Sequence, residues 1–139
     1  MISLAPDATH TIDVDPRPFF VPTGLLLAPG ERYHFTASGR WKDGPCAVGP
    51  TGWKLWFFSH WNRVSDVPFF YLCGAIGEDD RQAFAIGDQF DWHVPAGVAD
   101  LPDRQLYLFA NDWRSRYGNN EPLPQEKGGP LQVVIKRLS

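Results

Sequence analysis

The chain has 139 residues, of which 43% are hydrophobic and 14% aromatic, and its formal net charge is -3. This apolar content excludes an intrinsically disordered chain and is enough to build one domain, which we expect to span residues 1–139. The acidic balance, without any run of Lys or Arg, argues against a nucleic-acid partner.

Short strands separated by Gly, Pro, Asn or Asp follow one another along the chain. The clearest is 33–38, where Tyr33, Phe35 and Ala37 alternate with polar residues, as in a strand with one buried and one wet face. In chain order the predicted strands are 10–14, 25–27, 33–38, 69–76, 84–86, 89–94, 105–111 and 131–136. About eight short strands without helical patterns between them predict an all-β fold, an antiparallel β-sandwich of jelly-roll type.

Two segments between these strands need separate interpretation. Residues 43–52 are rich in Gly and Pro, and we predict a long loop there. Residues 53–61, with the sequence WKLWFFSHW, are the most apolar stretch, and their periodicity does not decide between a strand, a helical turn and a protruding lip. Their aromatic side chains suit either the core or an exposed surface that binds sugar or protein.

Residues 111–120 concentrate oxygen-bearing side chains near the C-terminal end. Asp112 offers a carboxylate, and Asn119 and Asn120 offer amide oxygens. Hard cations such as Ca²⁺ take about six to eight oxygens of this kind. The same residues also suit a simple turn, in which Gly and Asn adopt positive φ and Asp112 caps a strand. From the residues alone, both interpretations stay open.

The order and spacing of several short motifs indicate a family. Asn111-Asp112 ends a strand and is followed, after a fixed interval, by Tyr117-Gly118-Asn119-Asn120 and a last strand. Upstream, in the same order, lie Ala37-Ser38-Gly39, Asp43-Gly44-Pro45, Gly49-Pro50-Thr51-Gly52 and Cys73-Gly74-Ala75. In these motifs the chain resembles the calcium-dependent, galactose-binding bacterial lectins typified by the soluble galactophilic lectin of Pseudomonas. The resemblance covers most of the chain after Gly24 and implies a jelly-roll-like sandwich of the galactose-binding type.

The resemblance also implies a calcium cofactor and a set of ligands for it. Asp112 would chelate the ion with both carboxylate oxygens, and Asn119 and Asn120 would each give a side-chain oxygen. The backbone carbonyls of Asp43 and Arg116 would complete the protein's share. Two neighbouring hydroxyls of a galactose-type glycan would fill the remaining positions.

The resemblance further assigns contacts to the sugar itself. Asp112 and Asn119 would hydrogen-bond the coordinated hydroxyls. Trp113 stands where the family has a small Val, so the sugar would either stack on this indole or be blocked by it. His60 and Asn62 are nearest in chemistry to the family's His and Gln, which contact the exocyclic hydroxyl. The family also implies a homo-oligomer, in which several weak sites act together.

No pattern in the sequence favours catalysis. The four histidines, His10, His34, His60 and His93, stand apart from one another, and no HExxH motif or paired Cys spacing indicates zinc. We therefore expect a binding protein rather than an enzyme. The alternative is a non-catalytic interaction module that uses residues 53–61 for protein contact or oligomerisation, without sugar binding.

Residues 1–7 lack the basic start and the apolar stretch of a secretion signal, and no segment approaches the roughly 18 apolar residues of a membrane span. We expect a soluble protein that is cytoplasmic when synthesised, with later release left open. Cys46 and Cys73 are expected to be free thiols, because a cytosolic domain of this size does not need a disulfide.

Overall fold

A computed structural model of the chain describes residues 1–53 and 59–139 and confirms the predicted all-β class. Its strands are β1 Thr9–Asp13, β2 Val21–Leu26, β3 Arg32–Ser38, β4 Trp41–Asp43, β5 Cys46–Val48, β6 Thr51–Trp53, β7 Phe69–Ile76, β8 Ala83–Ala85, β9 Gln89–His93, β10 Gln105–Ala110, β11 Asn120–Pro122 and β12 Gln132–Arg137. Short 3-10 helices cover Ser59–Trp61, Asp80–Gln82, Ala96–Asp100, Arg114–Asn119 and Gln125–Lys127. In the part of the chain that the structure describes, no helix is long and apolar enough to span a membrane.

Two larger sheets face each other across the core. One has the strand order β1-β12-β3-β9, and the other has the order β2-β10-β7-β6, with β8 also paired to β7. The first sheet contributes Phe35 and Ile135 to the core, and the second contributes Leu72 and Leu108, all fully buried. Inward-facing apolar residues of both sheets therefore form one core, as expected for a sandwich.

A third, smaller sheet has the order β11-β4-β5 and corrects the prediction for residues 43–52. That segment is not one long loop, because it contains β5, β6 and the end of β4. Strands of three residues are too short to show an alternating pattern. The fully buried Trp41, paired with Val48, anchors the first of these strands.

The other predictions differ in accuracy. β7 occupies the predicted residues at both ends, whereas β2 begins at Val21, well before the predicted start at residue 25. In the aromatic segment, Trp53 ends β6 and Ser59–Trp61 forms a 3-10 helix. Residues 54–58 lie outside the described part of the chain. Cys46 is exposed, Cys73 is buried, and both are free thiols as expected.

A buried cation, Arg63, joins the segment after Trp61 to the end of β10. Its side chain is only 1% exposed, and its guanidinium carbon lies 3.8 Å from the centroid of the Phe109 ring. A salt bridge to Asp80 at 2.9 Å balances its charge. It also donates a hydrogen bond to the Tyr117 hydroxyl at 2.7 Å, so it fixes the 3-10 helix Arg114–Asn119 as well.

Gly52 allows β6 to approach β7 closely. Its φ is +60°, and a Cβ built on it would lie 1.8 Å from the Phe69 carbonyl oxygen. Neither the backbone conformation nor the space tolerates a side chain. Because Trp53 follows directly, this glycine also sets where that indole lies.

We expect Gly52→Ala to lower the free energy of unfolding by about 3 kcal/mol or more, since the methyl group must displace a backbone strand. Gly24→Ala is the matched control, because Gly24 also has positive φ, +78°, but open space around its Cβ position. It should cost only about 1 kcal/mol, the backbone strain alone. Urea denaturation of both variants measures the difference, and equal losses would contradict the steric argument.

We expect Arg63→Met to lower the free energy of unfolding by about 3 kcal/mol, because the substitution breaks a buried pair and leaves polar partners without a donor. Arg81→Met is the control, since Arg81 pairs with Asp79 on the surface with its own side chain 88% exposed. That variant should unfold at the wild-type denaturant concentration. Wild-type stability in Arg63→Met would show that the buried cation does not hold these elements together.

Candidate functional site

The residues after β10, the junction of the 3-10 helix Arg114–Asn119 with β11, and strand β4 converge at one place. Asp112 follows β10, Asn119 ends the 3-10 helix and Asn120 begins β11. Antiparallel pairing of β11 with β4 sets Asn120 opposite Asp43, and the Gly44 N–H donates to the Asn119 carbonyl at 2.9 Å. The structure therefore brings together the residues that the sequence predicted as metal ligands.

Asn111 fixes the position of its neighbour Asp112. Its side-chain oxygen accepts from the Val64 N–H at 2.8 Å, and its Nδ2 donates to the carbonyls of Val64 and Val67 at 3.0 and 3.1 Å. The Asp112 carbonyl in turn accepts from the Arg63 N–H at 3.2 Å. Asn111 thus positions Asp112, a role that its place in the sequence motif does not reveal.

Two side-chain oxygens at the centre of the site are buried without a hydrogen-bond partner among the described residues: Oδ2 of Asp112 and Oδ1 of Asn120. Both residues are 2% exposed. Asp112 Oδ1 accepts from the Trp113 N–H at 2.7 Å, and Asn120 Nδ2 donates to the Pro16 carbonyl at 3.0 Å. Buried acceptors are normally satisfied, so these two oxygens call for a donor or a cation.

The electrostatics of the site also favour a bound cation. Burial, together with the nearby Asp43 carboxylate, raises the pKa of Asp112 to about 6. Burial also raises the pKa of Asp43, while Arg116 opposes both shifts. The Trp53 indole N–H also lies close enough to lower the pKa of Asp43, although its geometry falls short of a hydrogen bond. The site therefore holds two carboxylates whose negative charge is poorly compensated.

A pocket of about 280 Å³ opens beside these carboxylates. Its lining consists of Asp43, Pro45, Cys46, Trp53, Phe69, Asp112, Trp113, Arg116 and Asn119. The aromatic members contact one another: Trp53 stacks on Phe69 with ring centroids 5.0 Å apart, and Phe69 lies 6.0 Å from Trp113. The sequence left Trp53, in the segment 53–61, open between the core and a sugar-binding surface, and it did not mark Phe69 as a lining residue. Both positions depend on the pairing of β6 with β7.

Of the remaining predicted sugar contacts, Trp113 lines the pocket, whereas His60 and Asn62 do not. Trp113 lines the pocket, and the exposed Trp61 contacts it edge to face at 5.6 Å. His60 packs on Trp61 at 4.4 Å, so it lies beyond the pocket on the exposed rim. Asn62 is buried and donates to the Val67 carbonyl at 3.0 Å. Roles for His60 and Asn62 in sugar binding stay predictions.

The donor set has the character of a site for a hard cation. Within residues 1–53 and 59–139, no group of three or more His, Cys, Asp and Glu side chains comes together. A cation held here would depend on the Asp112 carboxylate, the amide oxygens of Asn119 and Asn120, and backbone carbonyls. Oxygen donors of this kind suit calcium and not zinc or another soft metal.

Comparison with known proteins gives a fold relationship. No protein-family model matches the chain, and no curated protein sequence matches it. Among solved structures, the chain is similar to the N-terminal domain of EclA, described as a PllA-like lectin, with a TM-score of 0.63 and 22% sequence identity. The match covers 92% of this chain and 95% of that chain. The chain therefore shares the β-sandwich fold of this lectin domain along nearly its whole length.

Proposed function

We propose that this chain binds a carbohydrate through a calcium ion held beside the pocket. Asp112, Asn119 and Asn120 would supply side-chain oxygens, and Asp43 and Arg116 their backbone carbonyls. The observation that carries the proposal is the pair of buried, unpartnered oxygens on Asp112 and Asn120. A bound cation satisfies both oxygens and compensates the adjacent carboxylates at once.

The pocket supports a sugar as the ligand. Trp113, Phe69 and Trp53 present flat apolar surface next to the polar residues. A pyranose has the matching character, with an apolar face for stacking and hydroxyl pairs for the ion. The lectin fold of the structural neighbour agrees with this ligand class, and galactose-type glycans are our proposal from the resemblance in the loop 111–120.

We propose binding and not catalysis. Asp43 and Asp112 both have a raised pKa, and that of Asp112, about 6, would suit a general acid. Its Oδ1 already accepts the Trp113 N–H, and its buried Oδ2 is the oxygen that we assign to the ion. A general acid must reach the glycosidic oxygen of the substrate. We therefore expect no release of nitrophenol from nitrophenyl galactosides, with or without calcium. Homo-oligomerisation, implied by the same resemblance, stays a prediction.

Thermal melts with chelator, calcium and galactoside test the proposed function. We expect calcium to raise the melting temperature of the wild type in a concentration-dependent way, and a galactoside to raise it further only when calcium is present. Magnesium should do less, because it requires a smaller, more regular shell. Asp112→Asn should abolish both increases. Asp79→Asn, on the surface, is the control and should keep them.

The outcomes separate the alternatives. No calcium response in the wild type would refute the metal site and, with it, the proposed function. A calcium response without any galactoside response would favour the interaction module that uses residues 53–61. Its exposed Trp61, 56% accessible, is the structural feature that favours this second candidate.

The raised pKa of Asp112 predicts a specific pH dependence without calcium. Its folded-state pKa of about 6 lies above its ordinary value of 3.8, so the folded protein favours the protonated form. The resulting stabilisation is complete below the ordinary value and is lost as the pH rises through about 6, a loss on the order of 3 kcal/mol. In chelator at pH 7.5, Asp112→Asn should therefore be more stable than the wild type, because its new amide carries no charge and can donate to the Asn120 oxygen.

Denaturation curves between pH 4 and 7.5, in chelator, measure this difference. The difference in free energy of unfolding between Asp112→Asn and the wild type should disappear near pH 4, where Asp112 is protonated in the folded protein. Calcium should reverse the order at neutral pH, because the ion stabilises only the wild-type carboxylate. Equal stabilities at pH 7.5 would show that Asp112 is not a strained, buried anion.

A further inference from the structure

Arg116 is a cation in the pocket that forms no salt bridge with any described residue. None of the salt bridges within residues 1–53 and 59–139 involves Arg116, whereas Arg114, two residues earlier in the same 3-10 helix, pairs with Asp80 at 2.6 Å. The Arg116 guanidinium instead lies over the Trp113 ring, 5.4 Å from its centroid. The side chain is exposed and lines the same pocket as Asp43 and Asp112.

The charges of the pocket suggest a use for this arrangement. Two carboxylates and one guanidinium leave the empty pocket with a net charge of about -1 when the acids are ionised. A divalent cation cancels the charge of the two carboxylates, so the net charge becomes about +1 and Arg116 carries it. A neutral hexose leaves that charge uncompensated, whereas a ligand with one negative charge neutralises it.

We propose that Arg116 is a specificity-determining residue, which makes the site prefer a sugar that carries a carboxylate, a hexuronic acid, over the neutral hexose. The inference rests on the proposed function, since it assumes a cation and a sugar in the same pocket. The planar guanidinium matches a carboxylate with two parallel hydrogen bonds, and contact with the Trp113 ring restricts its motion before the ligand arrives. A lysine could not reproduce that geometry.

Calorimetric titrations at fixed free calcium, with D-galacturonate and D-galactose, test the proposal. We expect the wild type to bind galacturonate roughly tenfold more tightly, a ratio that corresponds to one charge-assisted pair and that falls as the salt concentration rises. Arg116→Gln should bring the ratio close to one, and Arg116→Lys should restore only part of it. Arg114→Gln is the matched control and should keep the wild-type ratio, since Arg114 belongs to the ion pair with Asp80.

A second measurement needs no sugar. Calcium titration followed by thermal melting should give a larger stabilisation in Arg116→Gln than in the wild type, because a like charge next to the ion has been removed. This response also shows that the variant still folds and still holds the ion.

The results distinguish failure of this inference from failure of the proposed function. Calcium-dependent binding of galactose that equals or exceeds binding of galacturonate would overturn the role of Arg116 and leave the proposed function standing. A galacturonate preference that survives in Arg116→Gln would overturn it as well. If neither sugar binds and calcium has no effect on the melt, both proposals are wrong.

Discussion

Antiparallel pairing of β4 with β11 is the contact that creates the site, because it sets Asp43 opposite Asn120 although the two residues are far apart in sequence. The hydrogen bond from the Gly44 N–H to the Asn119 carbonyl extends the same pairing beyond the strand ends. Asp112 then lies close enough to Asp43 for the Asp43 carboxylate to add to the effect of burial in raising the pKa of Asp112. Without this small sheet, the loop 111–120 would contain oxygen donors but no second carboxylate.

Two neighbouring buried residues after β10, Asn111 and Asp112, differ in how far their polar atoms are hydrogen-bonded. Asn111 is fully buried and satisfied by the backbone of residues 64–68, so it contributes rigidity. Asp112, next in the chain, is nearly as buried but keeps one oxygen without a partner. Because buried polar groups are normally satisfied, an unpaired oxygen held in place by such a well-satisfied neighbour supports the proposed cation at this position.

Without the proposed ion, the buried Asp112 carboxylate lowers the free energy of unfolding of the protein at neutral pH. Burial of the Asp112 carboxylate opposes its ionisation. The fold tolerates this cost because the sandwich core, and the salt bridge of the buried Arg63 with Asp80, stabilise the surrounding elements. Arg116 compensates part of the charge from the pocket side without closing on either carboxylate. With the proposed ion bound, Arg116 would give the pocket a net positive charge, which the aromatic lining alone would not provide.

The sequence by itself determined the all-β class and most of the long strands. Its motifs also pointed to Asp112, Asn119 and Asn120 as a group of oxygen donors, whose role as metal ligands stays a prediction. These features depend on patterns within short stretches of the chain. The strand 33–38 alternates, whereas β7, predicted to the residue, is a continuous apolar run that is buried at all but one position. The sequence did not reveal β4, β5 and β6, whose three-residue length hides any period. It left Trp53 open between the core and a sugar-binding surface, and it did not mark Phe69 as a lining residue. Only the tertiary structure decided which donors are buried and unpaired, because satisfaction of a polar atom depends on neighbours that chain folding brings from elsewhere.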